Sequence, residues 1–262
     1  MYKPESLFKP VAFAAALFFS GAVQAADIHV IATGAVKGAF SRLVPAFEQA
    51  SGHRLLISWG PSYGSSPDAI PTRLKNGEPV DVLIMVGAAL DERLNDGKFV
   101  KASRADLAQS AIGVGVRQGA PRPDIGTPAA LRQTLLSAKS IGHSEGASGT
   151  YIAGTLFKKL GIADQVAPKV KVVHGKELVG EVLARGEVEL GLQQISELIV
   201  VPGVDYVGPL PDSLQKTSLI SAVAAADVPH AAAAKELLGF LVTPAAAAMF
   251  EQSGLVRVKP AP

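Results

Sequence analysis

Residues 27–47 read DIHVIATGAVKGAFSRLVPAF, and this stretch decides the fold. An apolar run from Asp27 to Ala32 predicts a buried strand, which ends at a glycine-containing loop from Thr33 to Gly38. Apolar residues then recur at helical spacing at positions 40, 43, 44 and 47. The stretch therefore predicts a strand, a loop and a helix, the unit from which α/β folds are built.

The same order recurs along the chain. In the first part, strands are predicted at 53–59 and 80–85, each followed by a loop and a helix. In the second part, strands at 140–143, 169–174 and 188–194 alternate with helices at 151–160 and 177–185. This alternation predicts mostly parallel sheets flanked by helices, with ligands bound beyond the carboxyl ends of the strands.

Two apolar segments are placed to connect two lobes. Residues 110–116 form a long alternating run that would cross from a first lobe to a second, and residues 219–224 would cross back. Helices predicted at 231–241 and 245–252 would then pack on the first lobe. The sequence thus predicts one lobe from residues 26–109 and 219–262, and another from residues 110–218.

The N-terminus has the pattern of a secretory signal peptide at residues 1–25. Lys3 and Lys9 precede an apolar run from Val11 to Phe19, and small residues lead to Ala25. The apolar run is about half as long as a membrane-spanning helix needs to be. We expect cleavage after Ala25 and a soluble periplasmic product without a membrane anchor.

Composition argues against several partners and chemistries. There are no cysteines, so neither a disulfide nor a thiolate metal site can form. The formal net charge is only +2, which argues against nucleic acid because duplex binding needs a concentrated basic face. The histidines are scattered without metal-ligand spacing, so no metal is expected. Neither a nucleotide-binding loop nor a serine-hydrolase elbow is present, and no cofactor is expected.

Three loops at predicted strand-to-helix junctions, 33–38, 62–66 and 144–151, are rich in Gly, Ser, Thr and Tyr. Hydroxyls and the N–H groups at a helix start attract anions, although ordinary helix capping explains any single loop equally well. Gln193, Gln194 and Glu197 lie at a later strand end and just beyond it, where the glutamine amides could bond a carboxylate or each other. The residues predicted to bind a small anion are Thr33, Gly34, Lys37, Ser62, Tyr63, Ser65, Ser144, Ser148, Gly149, Thr150, Gln193 and Gln194.

His143 is the first candidate for proton transfer. It adjoins the third loop, and its side chain titrates near neutral pH, where it can act as an acid or a base. The alternative is a strand-end histidine bonded to the backbone. Tyr63 and Lys37 are the next candidates, with Glu145 behind them.

The exported start, the strand-loop-helix order and two segments resemble the type 2 periplasmic binding proteins of the molybdate-binding group. The segments are PVDV at 79–82 and RGEVELG at 185–191. This resemblance implies two α/β lobes, two crossover strands and a ligand in a cleft that closes by a hinge motion.

A closer likeness is to the bacterial aconitate isomerases, periplasmic enzymes on the same fold. It rests on DAIPTRL at 68–74, VGAALD at 86–91, VRQGAPRPDI at 116–125, ASG at 147–149 with Tyr151, QQISEL at 193–198 and VPG at 201–203. The likeness implies interconversion of trans- and cis-aconitate by a cofactor-independent 1,3-proton shift. A base would take a proton from a methylene, and N–H and hydroxyl donors would hold the dienolate until the proton returns at the other end.

The alternative function is a receptor that delivers molybdate, or another small oxyanion or carboxylate, to the permease of an ABC transporter. It needs the same cleft but no proton-transfer residue. A scavenging or sensory binding protein without a transporter would use the same residues.

Overall fold

The computed structural model describes residues 25–258. The predicted signal peptide lies outside these residues except for Ala25, and it stays an expectation. Within residues 25–258 the chain forms eleven strands. They are β1 (Asp27–Thr33), β2 (Arg54–Gly60), β3 (Val82–Val86), β4 (Ala105–Ser110), β5 (Ile112–Arg117), β6 (Ile141–Ser144), β7 (Val170–Val173), β8 (Leu190–Gln194), β9 (Val204–Pro209), β10 (Ser218–Ala224) and β11 (Val256–Arg257).

Helices separate most of the parallel strands. They are α1 (Lys37–Ser51), α2 (Ile70–Lys75), α3 (Gly87–Arg93), α4 (Pro128–Ser137), α5 (Ala147–Tyr151), α6 (Phe157–Lys159), α7 (Ala163–Val166), α8 (Val179–Ala184), α9 (Ile195–Leu198), α10 (Ala231–Leu241) and α11 (Pro244–Glu251). A π-helical turn at Ile152–Leu156 joins α5 to α6, so these three pieces form one continuous helical segment.

The strands form two sheets, with the orders β11-β4-β10-β3-β1-β2 and β7-β6-β8-β5-β9. Strand β1 pairs parallel with β2 and β3, and β6 pairs parallel with β7 and β8. The pairs made by β4, β5 and β10 are antiparallel. The α/β class is confirmed, but the sheets are mixed where the pattern predicted mostly parallel ones. A strand that enters from the other sheet has no crossover helix before it, and only such a crossover makes neighbours parallel.

The chain passes between the sheets at two places. Only Ala111 separates β4 in the first sheet from β5 in the second. The return occurs between Pro209, which ends β9, and Ser218, which begins β10. The run predicted to cross at 110–116 is therefore found mainly as β5. The division into lobes at residues 26–109, 110–218 and 219–262 stays a proposal.

The amphipathic helix α1 anchors the first sheet. Its residues Phe40, Leu43 and Phe47 are buried in one apolar cluster with β1, β3 and β10, because their spacing places them on one face of the helix. Phe250 of α11 is fully buried in the same cluster. Gly52 ends the helix with a left-handed φ of 75°, a conformation that glycine adopts without steric cost.

The two C-terminal helices pack on the first sheet. Leu237 and Leu241 of α10 are buried in the same cluster as α1. Among residues 25–258 no single helix is both long enough and apolar enough to cross a membrane, although α10 and α11 together meet that test as a pair bent by 64°.

Candidate functional site

A polar cleft lies where strand ends from the two sheets face each other. Thr33, Gly60, Ser144 and Gln194 are the last residues of β1, β2, β6 and β8, and all four line the cleft. Parallel strands present their carboxyl ends at one edge of a sheet, which is where ligands bind in open α/β sheets. The topology therefore gathers four separate segments of the chain around one small volume.

Eight of the residues predicted to bind an anion line this cleft. They are Thr33, Gly34, Lys37, Ser62, Ser144, Ser148, Gln193 and Gln194. The lining also contains residues that the sequence analysis did not place in the site, namely Trp59, Gly60, Pro61, Gly146, Ala147, Gly175, Lys176, Glu177, Leu178 and Glu197. Their roles, like those of the predicted residues, are proposals.

Side-chain amides and hydroxyls supply the polar surface of the cleft. The Oε1 atom of Gln193 accepts a hydrogen bond of 2.8 Å from the N–H of Val179. Gln194 is only 4% exposed, and its Oε1 has no hydrogen-bond partner among the described residues. A buried amide without a partner is costly. Gln194 is therefore the lining residue that most needs a ligand or a water molecule.

Glu197 is one of two acids in the lining, the other being Glu177. It lies on α9, just beyond the end of β8, and is 8% exposed. Burial raises its pKa to about 7, although a hydrogen bond from the Gln193 side chain and the charge of Lys37 both act to lower it. Removal from water penalises the charged form of a carboxyl, and here this effect exceeds the two opposing ones. Glu197 can therefore gain or lose a proton near neutral pH.

His143 does not line the cleft. It is 4% exposed, its Nδ1 lies 2.9 Å from the carbonyl oxygen of Ser144, and its ring packs at 6.4 Å from that of Phe157. Burial, which penalises the charged form of the ring, lowers the pKa of His143. The structure thus places His143 behind the first turn of α5, bonded to the backbone.

Four other predicted residues are also outside the cleft lining. Tyr63 packs against buried apolar residues of the first sheet, and burial raises the pKa of its hydroxyl. Ser65 is exposed. The hydroxyl of Thr150 donates to the carbonyl oxygen of Gly146 at 3.0 Å. Gly149 contributes no side chain, but it lets α5 approach the end of β6.

Glu145 connects the two sides of the cleft at its rim. Its carboxylate accepts hydrogen bonds from the Ser66 hydroxyl, which follows β2, and from the N–H of Gly175 at 2.9 Å. The Nδ1 atom of His174 lies 3.0 Å from the same carboxylate. These bonds lower the pKa of Glu145 despite its burial. We call Ser66, Glu145, His174 and Gly175 the rim clasp.

Charges at the cleft come from both sides. Lys37 begins α1, and Lys176 and Glu177 precede α8. Glu177 is paired with Arg185 at 2.6 Å, so its negative charge is partly balanced. Among residues 25–258 no group of three or more His, Asp or Glu side chains is arranged to hold a metal ion. The expectation that the protein needs no cofactor remains a prediction.

The position of Glu197 in the site is what the sequence reasoning missed. The sequence places it beside Gln193 and Gln194, but its spacing does not distinguish it as a candidate for proton transfer. The available signal was a lone acid in the apolar segment ISELIVV at 195–201, directly after a strand end. An acid in such a segment is either exposed or functional, because an unpaired buried carboxylate is costly.

The two mixed sheets and the cleft between their strand ends define a two-lobed solute-binding protein. The chain matches the model of the bacterial extracellular solute-binding proteins over residues 28–256, and it belongs to that family. It is 44% identical over 235 residues to an aconitate isomerase of Pseudomonas sp., covering 90% of this chain and 88% of that one. It is 26% identical over 180 residues to the molybdate-binding protein ModA of Azotobacter vinelandii, covering 68% of each.

Solved structures have the same fold at low sequence identity. The periplasmic molybdate-binding protein of Azotobacter vinelandii superposes with a TM-score of 0.71 at 21% identity, covering 88% of this chain and all of that one. The sulfate-binding protein SubI of Mycobacterium tuberculosis gives 0.69 at 20% identity, covering 90% and 88%. These likenesses confirm the two-lobed binding-protein fold.

Proposed function

We propose that the protein is an isomerase that interconverts trans- and cis-aconitate in the periplasm, without a cofactor, by moving one proton between two carbons. The observation that carries the proposal is the 44% identity to an aconitate isomerase, which extends over 235 residues and therefore over both sheets and the cleft. We infer the same activity for this protein because identity over this length includes every segment that lines the cleft.

The cleft is suited to a substrate with several carboxylates. Lys37 and Lys176 offset negative charge, and the hydroxyls and amides of the lining can donate to carboxylate oxygens. Proton loss from the methylene of aconitate gives a dienolate whose charge spreads onto carboxylate oxygens. Donors that are already in position stabilise that charge without reorganising. A small set of fixed donors is therefore sufficient for this chemistry.

The first test is turnover. Purified residues 26–262 are mixed with trans-aconitate in metal-free buffer, and cis-aconitate is followed by chromatography. We expect product to form at a rate proportional to protein concentration. Absence of product, together with a rise in melting temperature on adding molybdate, would favour the transport receptor instead.

The receptor alternative has support of its own in the likeness to ModA. A receptor needs no proton-transfer residue, so this alternative does not account for the acid Glu197 in the cleft. If the receptor function holds, an ABC permease is the expected partner. The export of the chain through residues 1–25 belongs to the proposal in either case.

We further propose that the cleft opens and closes about the two connections between the sheets, with the rim clasp holding the closed form. Ser66→Ala removes one hydrogen bond to a carboxylate that is made only when the lobes meet. Because such a bond contributes about 1.5 kcal/mol or more, we expect about tenfold weaker binding of trans-aconitate by calorimetry. Ser213→Ala, at an exposed position, is the control. Equal affinity of the Ser66 variant and the wild type would contradict the role of the clasp.

A further inference from the structure

The carboxyl of Glu197 lies against Gly34, on the opposite side of the cleft. Its Oε1 lies so close to Gly34 that a Cβ atom on that glycine would be 2.5 Å away. Gly34 belongs to the turn between β1 and α1, in the first sheet, whereas Glu197 follows β8 in the second. The carboxyl therefore reaches from one side of the cleft to the other and forms part of its lining.

The carboxyl is held in place by a short chain of contacts. The Oε1 atom of Gln193 accepts the N–H of Val179 at 2.8 Å, which leaves the amide NH₂ of the same side chain to donate to Glu197. Lys37, at the start of α1, supplies the nearest opposite charge. The other nearby acid, Glu181 on the neighbouring helix α8, accepts a hydrogen bond of 2.8 Å from the N–H of Leu178. Glu197 is thus fixed at one oxygen by an amide while it still faces the cleft.

The other candidates for proton transfer are occupied or misplaced. Neither His143 nor Glu145 lines the cleft. The Nδ1 of His143 lies 2.9 Å from a backbone oxygen, and the Glu145 carboxylate is engaged in the rim clasp. The hydroxyl of Tyr63 lies outside the lining.

From this geometry we propose that Glu197 is the catalytic residue that carries the proton in the aconitate reaction. The inference rests on the proposed function and deepens it. The Glu197 carboxylate takes a proton from the methylene carbon. The C–H bond breaks, its electron pair forms a new double bond to the central carbon, and the pair of the old double bond moves to the other terminal carbon and its carboxylate. The dienolate then takes the same proton from the carboxylic acid at its other terminal carbon. Glu197 ends as a carboxylate, and no oxidant, reductant or second reactant is needed.

The raised pKa of Glu197 supports this role. A base works best when its pKa is close to the working pH, because it is then both ionised in a useful fraction and strong enough to accept a proton. The free enzyme needs the ionised form, so kcat/KM is expected to fall as the pH is lowered below about 7. The charged groups that face this carboxyl across the cleft are Lys37, Lys176 and Glu177.

The decisive variant is Glu197→Gln, which keeps the shape of the side chain and removes the exchangeable carboxyl. We expect kcat for trans-aconitate to fall about 10³-fold, the middle of the range for loss of a general base. The Kd for propane-1,2,3-tricarboxylate, a saturated analogue that cannot isomerise, should change less than threefold. This binding measurement shows that the variant is folded and that its cleft is intact.

Two further variants separate proton transfer from packing. Glu197→Asp retains a carboxyl on a shorter side chain and should recover part of the activity, together with the acid limb of the pH profile. Gly34→Ala pushes a methyl group against the Glu197 oxygen and should lower kcat about tenfold without changing a titratable group. Glu251→Gln, at an exposed position on α11, is the matched control and should behave as the wild type.

The outcomes are distinguishable. Wild-type turnover with a Glu197→Gln variant that retains more than a tenth of the wild-type kcat would overturn the role of Glu197 and leave the isomerase function standing. Loss of the same activity in His143→Asn, with Glu197→Gln unaffected, would return the role to the histidine. If the wild type itself forms no cis-aconitate, the proposed function fails and the inference fails with it.

Discussion

Replacing Glu197 by Gln is expected to raise the free energy of unfolding by about 3 kcal/mol at pH 8 and to leave it nearly unchanged at pH 4. The pKa of Glu197 rises from 4.5 to about 7 on folding because the carboxyl loses its contact with water. Each pKa unit corresponds to about 1.4 kcal/mol of difference between the two protonation states. The variant therefore gains stability at the same pH values at which it loses activity.

The sign of this pH dependence follows from which state holds the proton more tightly. The folded chain holds the proton of Glu197 more tightly than the unfolded chain. The free energy of unfolding that protonated Glu197 contributes is therefore fully present below pH 4.5 and is lost as the pH rises to about 7. Because Gln does not titrate, the free energy of unfolding of the variant does not fall with pH in this way. Urea unfolding of wild type and variant at pH 4, 6 and 8 measures the difference. A difference that is the same at all three pH values would contradict a buried ionisable Glu197, and Glu251→Gln should show no difference at any of them.

Replacing Gly149 by Ala is expected to destabilise the protein by about 3 kcal/mol, the upper part of the range for an overpacked interior. A Cβ atom at this position would overlap the carbonyl oxygen of Ser144, and it would lie 2.9 Å from Nδ1 of His143. A backbone carbonyl at a strand end cannot move aside as a flexible side chain can. We therefore expect the melting temperature to fall by about 10 °C, and we expect α5 to move away from the end of β6.

The matched control for this prediction lies in the same helical segment. Gly154 is exposed, and a Cβ atom there would meet no atom within 4 Å. Gly154→Ala should therefore be neutral or stabilise the protein by up to about 1 kcal/mol, because alanine loses less backbone freedom on folding. If both variants lost the same stability, helix disruption in general would be the cause, and the close approach at Gly149 would not be needed to explain it. Binding of propane-1,2,3-tricarboxylate should weaken only in the Gly149 variant, because Ser144 and Ser148 line the cleft on either side of the displaced turn.

The location of the site was predictable because it depends on local patterns. A buried strand followed by a glycine-containing loop and an amphipathic helix was readable at residues 27–47, and the same order recurs. Once strands alternate with helices, their carboxyl ends must meet at one edge, so Thr33, Ser62, Ser144 and Gln194 could be assigned to one site without coordinates. The direction of the crossover strands could not be read in this way. It depends on how the chain enters the second sheet, which local periodicity does not record.

The proton-transfer residue shows what local patterns omit. The sequence favours His143 and Tyr63 because their side-chain chemistry suits the reaction and they adjoin the predicted binding loops. However, a strand places successive side chains on opposite faces, and Ser144 and His143 are neighbours in β6. Glu145 is a further candidate from the sequence, but in the structure its carboxylate accepts a hydrogen bond from the Ser66 hydroxyl on the other side of the cleft. Adjacency in sequence therefore placed these residues near the cleft without placing their reactive atoms in it.

By itself, the sequence determined the α/β class, the likeness to two-lobed binding proteins and several of the segments that line the candidate cleft, because hydrophobic period and glycine position are properties of short stretches. Only the tertiary structure decided which atoms face the cleft and how strongly each holds a proton. Burial raises the pKa of Glu197 to about 7 against the opposing effects of Gln193 and Lys37. Gly34, which is far from Glu197 in the chain, packs against its carboxyl oxygen. Burial and electrostatic environment are sums over neighbours in space, and those neighbours exist only after the chain has folded.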